Sequence, residues 1–153
     1  MTYDQLKLDN QICFPLYAAS RLIIRAYQDD LYTLGITYTQ YLVLMVLWES
    51  DNQSVNEIAE KLILNTNTIT PLLKRMESLG LLTRESSKTD HRKVMVYLTE
   101  NGRIMQEKSA EIPFRLMKKL NIIPNETQLN EALELKKRLY ELIRVLEITN
   151  NIN

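Results

Sequence analysis

Cysteine and histidine each occur only once in the 153-residue sequence, at Cys13 and His91. A single cysteine excludes an internal disulfide framework. One Cys and one His cannot complete a structural zinc site either, because such a site takes four ligands, mostly from these residue types. We therefore expect no metal and no cofactor, and the low cysteine content favours the cytoplasm.

Long hydrophobic runs are also missing from the sequence. The longest, YLVLMVLW at 41–48, is far shorter than the ~20 residues that span a bilayer, and the polar, acidic N-terminus does not resemble a signal peptide. We expect a soluble protein without a membrane partner. The net charge of zero leaves nucleic-acid binding open, because binding depends on where the charges lie.

Glycine and proline are scarce, at three and four residues, and apolar residues recur at helical spacing. A mainly helical protein is predicted, and a chain with 45% hydrophobic residues is expected to form a single domain over 1–153. The predicted helices are 12–34, 41–48 (buried on all sides), 54–62, 65–80, 101–120 (broken by Pro113) and 126–148.

Capping residues support several of these helices. Gly35 and Gly80 are placed to end two of them, Thr37 or Thr39 to begin another, and Ser54 with Glu57 forms a capping box. Pro71 weakens the 65–80 prediction, which is capped near Asn65, unless that proline lies in or near the first turn. The predicted inner face of this helix is Ile69, Leu72, Leu73, Met76 and Leu79.

Strand spacing replaces helical spacing over 81–99, where the polar stretch SKTDHR separates two runs rich in branched residues. This pattern predicts a β-hairpin with a charged tip, and 49–54 is predicted to be a simple turn. Three helices followed by a hairpin is the order of a winged helix-turn-helix, whose last helix enters the major groove of DNA. The predicted fold class is therefore mainly α with a small β-hairpin wing.

The charges agree with a DNA-binding wing. From Pro71 to Lys93, six basic residues oppose three acidic ones in a chain of zero net charge, a surplus that attracts phosphates. Asp90 is close enough in sequence to direct Arg92 into a minor groove, although a solvated charged turn also explains these residues. The short polar side chains that begin the 65–80 helix can contact DNA or merely cap the helix. The candidate DNA-binding residues are Thr66, Asn67, Thr68, Thr70, Lys74, Arg75, Arg84, Lys88, Asp90, Arg92 and Lys93.

Two motifs resemble the MarR family of transcriptional regulators. TDHRKVMVYLTENG at 89–102 is similar to the family's wing, and TITPLLKRMESLGLLTR at 68–84 to its recognition helix and first wing strand. The resemblance implies a homodimeric repressor on a pseudo-palindromic double-stranded DNA operator. Its winged domain would cover about 36–100, and its interlocked dimerisation helices about 9–34 and 101–148. Without the resemblance, the apolar faces of the terminal helices are simply core-facing.

The recognition helix departs from the family at its start, NTNTIT, where such helices often begin with Asp-Ser-Gly. Asn65 can still cap the helix, and Asn67 adds a side chain that can touch DNA. We therefore expect an operator that differs from those of other members.

Cys13 is expected in the first turn of the first helix, because Pro15 is tolerated only in such a turn. A helix N-terminus favours the thiolate, which is the form that a peroxide oxidises. The alternative is a buried and inert thiol, the commoner fate of a free cysteine.

The segments QICFPLYAASR, AYQDDL and LGITYTQYLVLMVLWE resemble the branch of the MarR family that senses organic hydroperoxides through an N-terminal cysteine. That resemblance implies that Tyr27 and Tyr38 hydrogen-bond the Cys13 sulfur across the dimer, with Tyr17 as a further pocket tyrosine. Apolar walls from Phe14, Leu16 and Trp48 would suit an organic peroxide. Oxidation to sulfenic acid would disturb the tyrosine bonds, change the spacing of the recognition helices and release DNA. Without a second cysteine, the sulfenic acid is expected to react with an external low-molecular-weight thiol or to be oxidised further.

Three other functions compete with this hypothesis. A thiol peroxidase would need a resolving route, and His91 on the predicted wing tip is a poor partner for Cys13, so we expect no enzyme. A MarR-type repressor released by a small aromatic ligand would use a tyrosine-lined groove without thiol chemistry. A helical interaction protein would leave the basic surplus over 71–93 unexplained.

Overall fold

The computed structural model describes residues 3–121 and 125–150, and two 3₁₀ turns, Asp4–Leu6 and Leu8–Asn10, precede the first helix. The helices are α1 (Cys13–Thr33), α2 (Tyr38–Glu49), α3 (Val55–Lys61), α4 (Thr66–Ser78), α5 (Glu100–Ser109), α6 (Ile112–Lys119) and α7 (Glu126–Asn150). The strands are β1 (Gln53–Ser54), β2 (Leu82–Ser86) and β3 (Val94–Leu98). The predicted ranges 1–153 and 101–148 also include residues that lie outside this described part, namely 122–124 and, for the longer range, 1, 2 and 151–153.

The predicted fold class is confirmed, and local sequence signals explain where the elements begin and end. Thr37 and Ser54 each form a capping box, in which the side-chain oxygen accepts from a backbone N–H three residues on. Gly35 and Gly80 follow α1 and α4 with φ angles of +70° and +69°, the left-handed conformation that ends a helix most easily at glycine.

The hydrophobic core surrounds α2. Val43, Leu44 and Leu47 are 0–1% exposed, and they belong to one cluster with apolar side chains of α3, α4 and the sheet. Burying each such side chain fully is worth about 1.5–3 kcal/mol. The prediction that α2 is buried on all sides is wrong at Met45, which is 45% exposed.

The segment predicted as a turn at 49–54 instead ends in a strand. β1 pairs antiparallel with β3, with Gln53 opposite Val96, and the sheet order is β1-β3-β2. Two residues are too few to show a strand period, so only the distant partner strand defines this element. The wing hairpin itself has the predicted form, with Leu82 opposite Leu98 at its base.

α4 forms as predicted despite Pro71, which lies beyond the first turn, and the helix continues through it. The missing N–H would have bonded the carbonyl of Asn67, and because Asn67 is exposed, water can satisfy that carbonyl instead. Leu79 was expected on the inner face but is 47% exposed, because it follows the last residue of the helix. Asn65 precedes the helix as predicted, but its side chain accepts a hydrogen bond from the Thr68 hydroxyl and from no backbone N–H.

The chain forms two compact units, Met1–Leu116 and Met117–Asn153, with the boundary inside α6. The second unit contains α7, whose apolar stripe is largely uncovered, with Leu129, Leu133 and Leu135 between 53% and 58% exposed. Whether the chain acts as the predicted single domain over 1–153 stays a prediction.

The N-terminal half of α1 also exposes apolar side chains, among them Leu22 at 62% and Ile23 at 46%. Within residues 3–121 and 125–150, no single helix is long and apolar enough to cross a membrane. α1 and α2 meet that criterion only when taken together, and they are bent by 78° at the break between them. The predicted apolar face of α1 is thus core-facing only over its C-terminal part, where Leu31 is buried and Tyr27 and Leu34 pack against the core, and the apolar stripe of α7 is exposed.

Ile63 carries backbone strain that a substitution can relieve. It lies between α3 and α4 with a φ angle of +55°, in the left-handed region that branched side chains avoid. Relief of about 1–2 kcal/mol of strain exceeds the extra chain entropy of glycine, about 0.5–1 kcal/mol, and the side chain loses little packing because it is 51% exposed. We expect Ile63→Gly to raise the free energy of unfolding in urea by up to about 1 kcal/mol.

The matched control is Gly35→Ala, at a position with a φ angle of +70° and no atom within 4 Å of an added Cβ. It should lower the free energy of unfolding by up to about 1 kcal/mol, because strain of about 1–2 kcal/mol is offset only in part by the smaller chain entropy of alanine in the unfolded state. An Ile63→Gly variant that is no more stable than the wild type would contradict the assignment of strain to this turn.

Candidate functional site

The start of α4 and the wing share one cavity of about 180 Å³. Thr66 and Thr70 of α4 line it, together with Arg84, Arg92 and Lys93 of the hairpin and with Ser54 and Asn56 at the start of α3. Five of the predicted DNA-binding residues, three of them basic, are thus brought together around one cavity, which Val55 and Val94 also line. The others, Asn67, Thr68, Lys74, Arg75, Lys88 and Asp90, do not line this cavity, and all of them except Asp90 are exposed.

Arg84 is held at the base of the wing by Glu77, at the C-terminal end of α4. Its Nη2 and Nε donate to Glu77 Oε2 over 2.7 and 3.1 Å, and its backbone N–H donates to Oε1 over 2.9 Å. The Arg84 hydrogen bonds hold the pKa of the Glu77 carboxyl below its ordinary value. The pair fixes β2 to α4, so Arg84 has a structural partner as well as a place in the cavity. Its partner Glu77 was not among the predicted site residues, because a contact between two separate elements produces no residue pattern within either element.

The predicted contact between Asp90 and Arg92 at the wing tip is confirmed. Asp90 Oδ1 accepts from Arg92 Nε over 3.1 Å and from its backbone N–H over 3.2 Å. These hydrogen bonds lower the pKa of the Asp90 carboxyl, which therefore stays charged at neutral pH. Asp90 holds one edge of the Arg92 guanidinium. The Arg92 side chain is nevertheless 91% exposed, so most of its surface is open to a ligand.

Cys13 is the first residue of α1, as predicted, and it is exposed. The alternative of a buried, inert thiol therefore does not hold for the single chain. Tyr17, one turn further along, is 59% exposed, and its hydroxyl accepts a hydrogen bond of 3.4 Å from Arg21. The guanidinium of Arg21 also lies 5.3 Å from the centre of the Tyr17 ring. Arg21 was missed by the sequence analysis.

A cluster of four aromatic side chains lies where α1 meets α2; we call Tyr27, Tyr38, Tyr41 and Trp48 the aromatic cluster. The ring centres of Tyr27 and Tyr38 are 5.2 Å apart, and those of Tyr27 and Tyr41 are 6.0 Å apart. Burial raises the pKa of all three tyrosines. Their phenols therefore keep their protons at neutral pH and remain hydrogen-bond donors.

Within one chain, Cys13 does not meet the tyrosines that were predicted to bind its sulfur. Tyr27 lies 14 residues further along the same helix, which is about 21 Å at the rise of an α-helix. The predicted apolar walls are separated as well, because Phe14 and Leu16 flank Cys13 while Trp48 packs against Tyr41 with ring centres 6.0 Å apart. The structure assembles the tyrosine half of the predicted site and leaves the cysteine half elsewhere.

Comparisons with known proteins agree with this architecture. Residues 26–112 match the family of the transcriptional regulator SarA/Rot. The organic hydroperoxide resistance transcriptional regulator of Bacillus subtilis is 43% identical to the chain over 97% of both sequences.

Several solved structures are also similar to this chain. AbfR of Staphylococcus epidermidis, solved in reduced form bound to DNA, matches with a TM-score of 0.77 and 38% identity over 95% of this chain and 99% of AbfR. The overoxidised form of AbfR, also bound to DNA, matches with a TM-score of 0.69 and 40% identity over 93% of this chain and 99% of AbfR. A MarR transcriptional regulator of Methanosarcina mazei shares the fold, with a TM-score of 0.78 at 16% identity over 88% of this chain and 97% of its own.

The ion pair between Glu77 and Arg84 predicts a pH dependence of stability. A carboxyl group whose pKa is lowered by folding stabilises the native state above its ordinary pKa of 4.5, and this contribution disappears as the pH falls through the lowered value. We expect Glu77→Gln to shift the urea midpoint downward at about pH 7 and to shift it much less at about pH 3. Glu85→Gln, at an exposed carboxyl group on β2, is the control and should show no such pH dependence. An equal shift at both pH values for Glu77→Gln would rule out a contribution from its charge.

Proposed function

We propose a function from one premise: this chain belongs to the MarR family of winged-helix transcriptional regulators, on the branch of the organic hydroperoxide resistance regulators. The proposed function is that of a homodimeric repressor that leaves its DNA operator when an organic hydroperoxide oxidises Cys13. The observation that carries this proposal is an exposed cysteine at the start of α1 on the same helical face as Tyr27, which two chains can bring together.

Helix geometry supports the shared site. At about 100° per residue, Tyr17 and Tyr27 each lie within about 40° of Cys13 around the axis of α1. Two α1 helices that pack antiparallel about an axis near Ser20 would therefore place Cys13 of one chain level with Tyr27 of the other. Tyr38 would join that site, because its ring packs against Tyr27. The protonated phenols would donate hydrogen bonds to the thiolate and stabilise it.

Uncovered apolar surface supports the dimer itself. The N-terminal half of α1 and the stripe of α7 expose leucine and isoleucine side chains that a monomer would leave in water. Contiguous apolar surface of this kind is typical of an interface between subunits. The proposed interface uses residues from about 9–34 and 101–148, and the winged part over about 36–100 remains free to bind DNA.

The basic wing and the polar start of α4 support the DNA partner. We propose that Arg92 enters the minor groove. At the start of α4, the side chains that would contact base edges or phosphates in the major groove are Thr66, Asn67, Thr68 and Thr70. Lys74, Arg75, Lys88 and Lys93 would neutralise phosphates, and Arg84 would chiefly hold the wing against α4. A regulator of a chromosomal operator acts in the cytoplasm of a bacterium, which is the location we propose.

The proposed chemistry balances with one peroxide per cysteine. The Cys13 thiolate attacks the terminal oxygen of the hydroperoxide, so that an S–O bond forms, the O–O bond breaks and an alcohol leaves after protonation. The sulfur is oxidised to sulfenic acid and the peroxide is reduced. A low-molecular-weight thiol then displaces water and leaves a mixed disulfide on Cys13. We propose no catalytic turnover, because the sequence offers no second cysteine to regenerate the thiol.

The mixed disulfide is the form that we propose to release DNA. The overoxidised form of the relative AbfR was solved bound to DNA, so overoxidation in that protein is compatible with DNA binding. A thiol adduct is larger than one or two oxygen atoms, and it would separate the two chains around Cys13 further.

A second candidate function is release by a small aromatic ligand without thiol chemistry. One observation favours it: Ile24, Leu31, Tyr32, Ile36 and Tyr38 are among the side chains that line a mostly apolar cavity of about 360 Å³. A cavity of this volume is large enough for a small organic molecule. Substitution of Cys13 distinguishes the two functions, because only the redox function needs the thiol.

We expect Cys13→Ser to bind the DNA upstream of the protein's own gene as tightly as the reduced wild type does. One equivalent of cumene hydroperoxide with a small thiol should weaken binding of the wild type by about tenfold or more and leave this variant unchanged. Binding is followed by fluorescence anisotropy, and a reductant should restore the wild type. Equal release of both proteins would contradict the redox function and favour the ligand-controlled one.

We expect Arg92→Ala to weaken DNA binding by about tenfold, since an arginine in a groove is worth about 1–3 kcal/mol. Binding should also become less dependent on salt concentration, because fewer counterions are released from the DNA. The control is Lys7→Ala, which removes an exposed cation outside both the winged part and the proposed interface and should leave binding unchanged. Equal effects of the two substitutions would argue against a specific role for the wing tip.

A further inference from the structure

Trp48 connects the aromatic cluster to a different part of the winged unit. Its ring lies edge-on to Tyr41, with an interplanar angle of 70° and ring centres 6.0 Å apart. Its indole Nε1 donates a hydrogen bond of 2.9 Å to the backbone carbonyl of Gly102, in the first turn of α5. One side chain therefore contacts the tyrosine half of the proposed site and the helix that follows the wing.

Gly102 lies where α5 meets the wing, and there is no room for a side chain at this position. A Cβ atom added there would overlap the carbonyl oxygen of Leu81 and lie 2.9 Å from Leu98 Cδ2. Leu81 immediately precedes β2, and Leu98 is the last residue of β3, so both strands of the wing meet α5 at this point. Because packed atoms cannot move closer together, a displacement of Gly102 must displace the base of the wing.

Thr99 ties the same junction to the end of the recognition helix. Its hydroxyl donates to the carbonyl of Gly80 over 2.6 Å and accepts from the N–H of Gly102 over 3.1 Å. Its backbone N–H donates to the Leu81 carbonyl over 3.2 Å. Gly80 follows the C-terminus of α4, so the contacts of Gly102 extend to both elements that are proposed to touch DNA.

We propose that Trp48 is a positioning residue that transmits the structural change caused by oxidation of Cys13 to the wing, through its hydrogen bond to Gly102. This inference rests on the proposed function. When Tyr27 and Tyr38 lose their bonds to the thiolate, Tyr41 shifts with them, the indole follows the Tyr41 ring, and Gly102 moves against Leu81. The wing and the end of α4 then change position together, although neither touches the oxidised sulfur.

The wild-type protein offers a direct test, because Trp48 is its only tryptophan and its fluorescence therefore reports on this one side chain. Oxidation by one equivalent of cumene hydroperoxide with a small thiol, in the absence of DNA, should shift the emission maximum or change its intensity. Cys13→Ser should show neither change. An emission that stays constant while the wild type loses its affinity for DNA would overturn the proposal.

Trp48→Phe is the second test, because phenylalanine keeps an aromatic ring beside Tyr41 and lacks the N–H donor. We expect the reduced variant to bind DNA nearly as the wild type does, and its single thiol to react with the same stoichiometry. The ratio of Kd after oxidation to Kd before should fall by about fivefold or more compared with the wild type. Tyr3→Phe, which changes a tyrosine that is 57% exposed and outside both the cluster and the proposed interface, is the control and should keep the full ratio.

The outcomes separate the two proposals. If the wild type stays on DNA after oxidation, the proposed function fails and this inference fails with it. If the wild type and Trp48→Phe are released equally, only the role of Trp48 is overturned. If Trp48→Phe does not fold, the emission of the wild type decides alone.

Discussion

The burial of α2 is the constraint on which the other elements depend. One side of this helix presents Val43, Leu44 and Leu47 to α3, α4 and the sheet, and these side chains are almost completely removed from water. Another side presents Tyr38, Tyr41 and Trp48, whose spacing of three and seven residues keeps them on one face. The packing that fixes α3, α4 and the sheet therefore also places Tyr38, Tyr41 and Trp48, the three members of the aromatic cluster that lie on α2.

Local chemistry made much of this fold predictable from the sequence. A threonine or serine followed by a partner three residues on marks the starts of α2 and α3, and Gly80 marks the end of α4. The hairpin was equally clear, because a polar stretch separates two runs rich in branched residues. The two-residue strand β1 gave no such signal, since it exists only through its pairing with β3. The reservation that Pro71 placed on α4 was unnecessary for a related reason, because the cost of a missing N–H depends on whether water can reach the carbonyl it leaves.

The candidate site likewise has parts that neighbouring residues predict and parts that depend on contacts between distant residues. Cys13 at a helix start and the pair of Asp90 and Arg92 could be found from neighbours in sequence. The hydrogen bond between Trp48 and Gly102 joins residues that are 54 positions apart, and no pattern within either segment predicts it. The same holds for Glu77, whose importance appears only when α4 and β2 are placed side by side. The chemical groups of the site can thus be identified from the sequence, whereas the contacts that link them depend on the folded chain.

The charge distribution of the chain affects how the molecule approaches a polyanion. The basic surplus over 71–93 belongs to a chain whose net charge is zero, so the remaining residues must carry an equal excess of negative charge. Positive charge concentrated on α4 and the wing would favour an approach of this part of the chain to the phosphates of DNA. The overall neutrality would limit indiscriminate adhesion to other nucleic acids.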